Sequence, residues 1–149
     1  MIDPMETPVA VAVAATFLWL GMVLAISFVE APLKFRAPGV TLPIGLGIGR
    51  LVFRALNACE AALAVAVVVG LVVGEPTGGA PVALGVAVVV LLLQLVAIRP
   101  ALGRRSDAVL AGTTGDATGP SSHAHLWYVA AEVVKVLALA VGGVLLFQA

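Results

Sequence analysis

The sequence predicts an all-α fold: an integral membrane four-helix bundle with both chain termini outside. The first observation is composition, since 62% of the residues are hydrophobic, 11% are charged and the mean hydropathy is +1.17. Soluble domains average about 25% charged residues. The second is a set of four apolar runs, each long enough to cross a bilayer. The third is that seven of the eight basic residues lie in two windows, between the first and second runs and between the third and fourth: Lys34, Arg36, Arg50, Arg54, Arg99, Arg104 and Arg105. Short cytoplasmic loops carry the excess of Lys and Arg, so both windows are expected in the cytoplasm.

The first predicted helix covers about residues 8–29. It is expected to end at Pro32, because a proline disfavours helical geometry in the residue before it. The second covers about residues 44–73 and is followed by a short outer turn of Pro and Gly residues at 75–79. The third covers about residues 81–98 and is expected to stop at Arg99 and Pro100. Residues 101–122, rich in Gly, Thr and Ser, are predicted to form a flexible cytoplasmic loop. The fourth helix covers about residues 125–147.

Several classes of function are not indicated. The formal net charge is zero, which gives no sign of nucleic acid binding. Cys59 is the only cysteine, so the chain can form neither an intrachain disulfide nor a cysteine cluster for a metal. The sequence has no G-x-S-x-G, no phosphate-binding glycine loop and no H-E-x-x-H motif. We therefore favour a non-enzymatic multi-pass protein of the inner (plasma) membrane, an enzyme stays open as the alternative, and no particular cofactor is indicated.

Polar and ionisable residues recur on single faces of the apolar helices, because residues three or four positions apart share one side of a helix. Charges inside a membrane helix are costly and mark functional sites by default. Two interpretations stay open. One is a cytoplasm-facing polar cavity that holds a ligand or relays protons, and the other is a self-neutralising ion-pair network with a structural role. The residues of this predicted site are Glu30, Arg50, Arg54, Asn57, Glu60, His125, Tyr128, Glu132 and Lys135.

The sequence His123-Ala124-His125 raises the question of a metal site. Two imidazoles two residues apart point to different faces of a helix, and no acidic or cysteine ligand follows at a standard spacing. A surface histidine and an interfacial one are the simpler interpretation. No metal site is therefore expected.

Much of the chain resembles an uncharacterised family of small four-helix membrane proteins that includes transmembrane protein 205. The resemblance rests on Trp19-Leu20-Gly21, on Ser27-Phe28-Val29-x-Ala31-Pro32-x-x-Phe35 and on Gly-Arg-x-x-Phe at positions 49–53. Pro100 after the third helix and a His just before the fourth extend it. The resemblance implies a four-helix membrane fold and no defined activity. The acidic residues Glu30, Glu60 and Glu132, and Lys135, are not part of it.

The start of the second helix resembles a different family, the membrane-associated eicosanoid and glutathione metabolism proteins. The likeness rests on Arg50-x-x-x-Arg54-Ala55-x-Asn57-x-x-Glu60. That family consists of four-helix proteins that form trimers and bind glutathione between subunits. The resemblance implies that Arg54, Asn57 and Glu60 would hold the tripeptide. It does not extend to the second half of the chain, which lacks that family's arginine–tyrosine pattern.

The function expected from the sequence is a non-enzymatic inner-membrane protein with a cytoplasm-facing polar cavity. It would act as a small transporter, a ligand-binding protein or an accessory subunit of a membrane complex. The expected partners are the lipid bilayer and either further copies of this chain or other membrane subunits. The alternative is a glutathione- or lipid-modifying membrane enzyme.

Overall fold

Four helices make up the computed structural model, which describes residues 6–112 and 121–148. Helix α1 covers Thr7–Arg36 and α2 covers Leu42–Gly74. Helix α3 covers residues 80–110, and α4 covers Ser121–Leu146. All four are long and apolar enough to cross a membrane. The described residues contain no strand. The predicted all-α class is therefore confirmed, and the described residues contain the predicted number of helices able to span a membrane.

Helices α1 and α3 each contain a wide π-helical turn, in which backbone N–H groups donate to carbonyls five residues back. In α1 this turn covers Leu24–Glu30, and the Ala31 N–H donates to the Ile26 carbonyl. In α3 it covers Gln94–Ile98, and the Arg99 N–H donates to the Gln94 carbonyl. Each wide turn ends two residues before a proline.

These turns explain why two predicted helix ends are wrong. A proline inside an α-helix removes one hydrogen bond, and its ring clashes with the carbonyl four residues back. A π-helical turn changes the alignment of those carbonyls and is a recognised way of accommodating a kink. Helix α1 therefore continues through Pro32 to Arg36, and α3 continues through Pro100 to Leu110.

The predicted cytoplasmic loop 101–122 is also shorter than expected. Residues 101–110 are helical, and the Ala111 N–H extends the helix by donating to the Asp107 carbonyl. Gly112 then takes a left-handed conformation with φ of 67°, which is typical of a helix end. Ala101, Leu102, Arg104 and Arg105 are good helix formers, so the helix has no reason to stop before the Gly- and Thr-rich stretch. Residues 113–120 of the predicted loop lie outside the described residues.

The helices pair as two hairpins, α1 with α2 and α3 with α4, which pack together mainly through α1 and α4. Glycines allow the close approach within each hairpin. A methyl group on Gly70 of α2 would lie 2.7 Å from the Pro8 carbonyl oxygen and 2.8 Å from Ala12 Cβ. A methyl group on Gly142 of α4 would lie 2.6 Å from Leu84 side-chain atoms. The buried residues of α1 and α3 follow the same spacing along the two helices: Ala12 in α1 corresponds to Leu84 in α3, and Trp19 corresponds to Leu91.

The bundle has two chemically different ends. At the end that we name the basic end lie Lys34 and Arg36 of α1, Arg50 and Arg54 of α2, and Arg99 and Arg104 of α3. At the opposite end, Gly74 approaches Val9 and Gly79 approaches Leu145, and the described residues there carry few charges. Between the ends, large apolar side chains cover the outside of all four helices, as expected of a surface that faces lipid. Examples are Leu18, Val65, Val69, Val82, Leu92, Val96, Leu137 and Val141.

Candidate buried ion-pair site

The centre of the bundle holds a lysine whose ammonium group is fully enclosed by protein. The Lys135 side chain on α4 is 0% exposed. Its Nζ donates to Glu60 Oε1 at 2.5 Å, to Gln94 Oε1 at 2.7 Å and to Glu132 Oε1 at 3.0 Å. An ammonium group has three N–H donors and no acceptor, so the hydrogen-bonding capacity of Lys135 is fully used.

Two further bonds fix the carboxylates that face Lys135. Trp19 on α1 donates its indole N–H to Glu60 Oε1 at 3.0 Å, and the Gln94 amide on α3 donates to Glu132 Oε1 at 2.7 Å. All five side chains are less than 2% exposed, and together they draw on all four helices. We call this set the Lys135 network. It lies near mid-bundle, since Glu60 is 14 residues before the end of α2, or about 21 Å along a helix.

The charges inside the Lys135 network do not balance. Glu60 and Glu132 contribute two carboxyl groups, whereas Lys135 contributes one ammonium. Both carboxyls use only Oε1, and Glu60 Oε2 and Glu132 Oε2 are buried without a hydrogen-bond partner among the described residues. Buried charges are normally paired with an opposite charge. When one partner of a buried pair is removed, the folded protein loses about 3–5 kcal/mol of stability. If both carboxyls were ionised, the network would therefore carry one net negative charge.

A second polar group lies next to the Lys135 network, on the side of the basic end. Tyr128 is one helical turn before Glu132 on α4 and is buried, and its hydroxyl has no well-formed hydrogen bond among the described residues. Its ring stacks edge-on to Phe53 with centroids 5.7 Å apart, and the Arg99 guanidinium carbon lies 5.7 Å from the Tyr128 centroid. Arg99 also donates to the Phe53 carbonyl at 3.0 Å. Ser27 and Glu132 are the polar side chains that face the Tyr128 hydroxyl.

We call Ser27, Phe53, Arg99 and Tyr128 the Tyr128 cluster. Three buried atoms of this cluster have no hydrogen-bond partner among the described residues: Ser27 Oγ, Arg99 Nε and the Tyr128 hydroxyl. Asn57 Oδ1, one turn before Glu60 on α2, is in the same state. Buried polar groups are nearly always satisfied, so such a concentration of unsatisfied ones requires an explanation.

On the other side of the Lys135 network the bundle interior is apolar. The buried side chains there include Val13, Val67, Leu84, Ala87 and Leu139. The buried hydroxyl of Thr16 is satisfied within its own helix, because it donates to the Ala12 carbonyl at 2.7 Å. Polar groups therefore approach the Lys135 network from the basic end alone, among the described residues.

The predicted site residues separate into three groups in the structure. Glu60, Glu132 and Lys135 come together in one network, with Tyr128 and Asn57 beside it. Three other predicted members lie apart from it. Glu30 pairs with Lys34 at 3.3 Å, Arg50 pairs with Asp107 at 2.5 Å on the surface, and Arg54 is exposed. The side chains of His125 and of His123 lie outside the described part of the structure. Among the described residues, no group of three His, Cys, Asp or Glu side chains is placed to hold a metal.

Five residues of the site were not among the predicted site residues: Trp19, Ser27, Phe53, Gln94 and Arg99. Gln94 carried a signal, since it is the only strongly polar residue in the third apolar run. A buried indole needs a hydrogen-bond acceptor, which was the signal at Trp19. Arg99 was assigned to a loop because the helix was expected to end there, and its inward position depends on the wide turn.

Comparison with models of protein families, with curated proteins and with solved structures found no match to this chain. The resemblances drawn from short motifs therefore stay predictions. What the protein does has to be argued from the geometry of the Lys135 network and the Tyr128 cluster.

Proposed function

We propose that this chain is a non-enzymatic inner-membrane protein that admits a small polar ligand from the cytoplasm into its helix bundle, as a small transporter or a ligand-binding protein. The observation that carries the proposal is a set of six buried polar atoms that have no hydrogen-bond partner within residues 6–112 and 121–148, and these atoms lie at the Lys135 network and on its basic-end side. They are Ser27 Oγ, Asn57 Oδ1, Glu60 Oε2, Arg99 Nε, the Tyr128 hydroxyl and Glu132 Oε2.

Each unsatisfied buried group costs about 1–3 kcal/mol, so several of them in one region would lower the stability of a small bundle substantially. Water or a small polar ligand that bridges them removes that cost. The set supplies both donors and acceptors, because guanidinium N–H groups donate, carboxylate and amide oxygens accept, and hydroxyls do both. A site that offers both donors and acceptors can bind water, a hydrated ion or a small neutral polar molecule.

The orientation in the membrane is part of this proposal. The basic end would face the cytoplasm, and both termini would lie outside, because Lys and Arg are concentrated at cytoplasmic ends of membrane helices. The polar approach to the Lys135 network would then open toward the cytoplasm, and the apolar half of the bundle would close it toward the other side. An accessory role beside further copies or other membrane subunits would use the same buried site.

The enzyme alternative receives less support from the geometry. A glutathione site on α2 would need Arg54, Asn57 and Glu60 to act together. The Arg54 side chain is exposed, whereas Glu60 Oε1 already accepts hydrogen bonds from Trp19 and Lys135. Two shallow grooves on the bundle surface do not reach the Lys135 network either.

Water access to the Tyr128 cluster tests the proposal. In a Cys59→Ala background, which removes the only native thiol, Ser27→Cys should react with a charged, membrane-impermeant thiol reagent. The reaction should occur in inside-out vesicles and not in intact cells, because access is from the cytoplasm. Ala25→Cys is the matched control, since Ala25 is exposed on the lipid-facing side of the same helix. We expect Ala25→Cys to be unreactive, because the thiolate does not form in hydrocarbon.

Three results would contradict the proposal. Equal reactivity at both positions would show that α1 is simply accessible along its length. No reaction at Ser27→Cys from either side would show that the Tyr128 cluster is dry. Reaction only from the outside would reverse the orientation and place the basic end away from the cytoplasm.

A further inference from the structure

We infer that the Lys135 network holds one exchangeable proton on Glu132, loaded from the basic end past Tyr128. This inference rests on the proposed function and names the ligand of the innermost part of that site. Its starting point is the charge count, two carboxyl groups against one ammonium, all in side chains less than 2% exposed. In such surroundings two carboxylates that share a site do not both stay ionised unless further positive charge is supplied.

Geometry selects Glu132 rather than Glu60 as the group that carries the proton. The Lys135 ammonium lies 2.5 Å from Glu60 Oε1 and 3.0 Å from Glu132 Oε1, so its charge is closer to Glu60. Each carboxylate also accepts one neutral N–H donor, Trp19 on Glu60 and Gln94 on Glu132, so these bonds do not distinguish the two groups. Glu132 faces the Tyr128 hydroxyl, and its Oε2 has no hydrogen-bond partner among the described residues. A proton on Oε2 would find an acceptor in that hydroxyl.

The charged groups around Glu132 come from all four helices. On α4 they are Lys135 and the ionisable Tyr128, on α2 the facing group is Glu60, and on α3 it is Arg99 beyond the Tyr128 ring. From α1, the uncharged Trp19 and Ser27 face this region, together with Lys34, whose Nζ lies 5.3 Å from the Phe53 ring centroid and pairs with Glu30 at 3.3 Å. Because the charge of Lys34 is already paired with Glu30, the positive group that competes with the proton is Arg99. It is partly exposed and forms no ion pair with either carboxylate, so its attraction is screened by solvent and distance.

The transfer step balances without any redox partner. A hydronium ion in water at the basic end gives its proton to Glu132 Oε2, directly or through the Tyr128 hydroxyl. One O–H bond forms at Glu132, one O–H bond of hydronium breaks, and a water molecule is left. The network is then neutral overall, with Glu60 ionised against Lys135. Release of the proton in the same direction restores the unbalanced state.

Infrared spectroscopy of the full chain in lipid nanodiscs tests this inference, because a protonated carboxyl group has a carbonyl stretch that an ionised one lacks. Exposed Asp and Glu are ionised at neutral pH and do not contribute to that band. We expect one such band at neutral pH, shifted in heavy water. It should be lost in Glu132→Gln and in Glu60→Gln alike, since either variant leaves one carboxylate for Lys135.

Two further variants test whether the protonated group is Glu132. Lys135→Met should raise the band about twofold, because both carboxyls then need a proton. Tyr128→Phe should shift the band without removing it, since Tyr128 is the neighbour of the protonated group. Thr16→Val is the matched control on the same helix and should leave the band unchanged, because the Thr16 hydroxyl donates to the Ala12 carbonyl and lies outside the Lys135 network. A structural ion pair without a proton predicts none of these changes.

No band in the unmodified protein would overturn the inference. If the unmodified protein lacked the band and Arg99→Met showed it, the positive charge that balances the second carboxylate would come from Arg99 and not from a proton. A band that survived both Glu132→Gln and Glu60→Gln would assign the proton to another residue and would overturn the inference as well. The two proposals fail separately. Labelling at Ser27→Cys without the band would leave the proposed function intact, whereas the band without labelling would leave the proton without a route.

Discussion

Replacing Lys135 by methionine should destabilise the protein more than any change of a surface ion pair. Methionine has a similar shape but no ammonium group, so three acceptors lose their donor at once: Glu60 Oε1, Gln94 Oε1 and Glu132 Oε1. Removing one partner of a buried ion pair costs about 3–5 kcal/mol, because the remaining carboxyl either stays charged without a partner or has to take up a proton at neutral pH. We therefore expect Lys135→Met to lower the free energy of unfolding by about 3–5 kcal/mol.

A double-mutant cycle with Glu60→Gln separates pairing from packing. The double variant Glu60→Gln/Lys135→Met removes both charges together, so its cost should be about 2 kcal/mol below the sum of the two single costs. The measurement is unfolding in mixed micelles with increasing sodium dodecyl sulfate, followed by circular dichroism. Arg50→Met is the control, since the Arg50–Asp107 pair is 41% and 66% exposed and should contribute at most about 1 kcal/mol.

Two outcomes would refute the reasoning. Strictly additive costs in the cycle would show that Glu60 and Lys135 do not sense each other, and that the two charges face separate water-filled spaces. A cost for Lys135→Met no larger than that for Arg50→Met would show that the ammonium is well hydrated in the folded protein.

Two further predictions concern packing and the alternative function. Gly70→Ala should cost about 1–3 kcal/mol in the same unfolding measurement, because its methyl group would collide with the Pro8 carbonyl and with Ala12. Gly85→Ala, with nothing within 4 Å, should change stability little or raise it by less than about 1 kcal/mol, and equal costs at both positions would contradict the helix contact. Glutathione should show no saturable binding in titration calorimetry. Saturable binding that is lost in Arg54→Ala would favour the enzyme alternative.

The number and class of the helices could be predicted because lipid imposes a length and an apolar composition on each spanning segment. The ends of α1 and α3 could not. The rule that proline stops a helix is local, whereas the continuation past Pro32 and Pro100 depends on wide turns several residues earlier. No residue type marks a π-helical turn in the sequence.

The core of the site was predictable for a similar physical reason. A lysine and two glutamates in otherwise apolar helices are too costly to leave apart, so Glu60, Glu132 and Lys135 were expected to meet. Their neighbours Trp19 and Gln94 were not identified. An isolated indole or amide in an apolar run fits several roles equally well, and only the packing of α1 and α3 decides among them. Arg54 is the opposite case: its helical spacing predicted that it lies beside Glu60, whereas its side chain is exposed in the structure.

The wide turn in α3 also determines what an insertion or a deletion can do there. In a regular α-helix, residues five positions apart diverge by about 140° around the axis. Gln94 and Arg99 are five apart and yet both face inward, because the Arg99 N–H bonds the Gln94 carbonyl and stacks the two residues one above the other. The turn therefore absorbs one extra residue without rotating the segment beyond it. The extra residue of the wide turn and Pro100 depend on each other. Deleting one residue of the turn alone, or replacing Pro100 alone, would disturb the packing of the helix. Making both changes together would leave Arg99 on the same face.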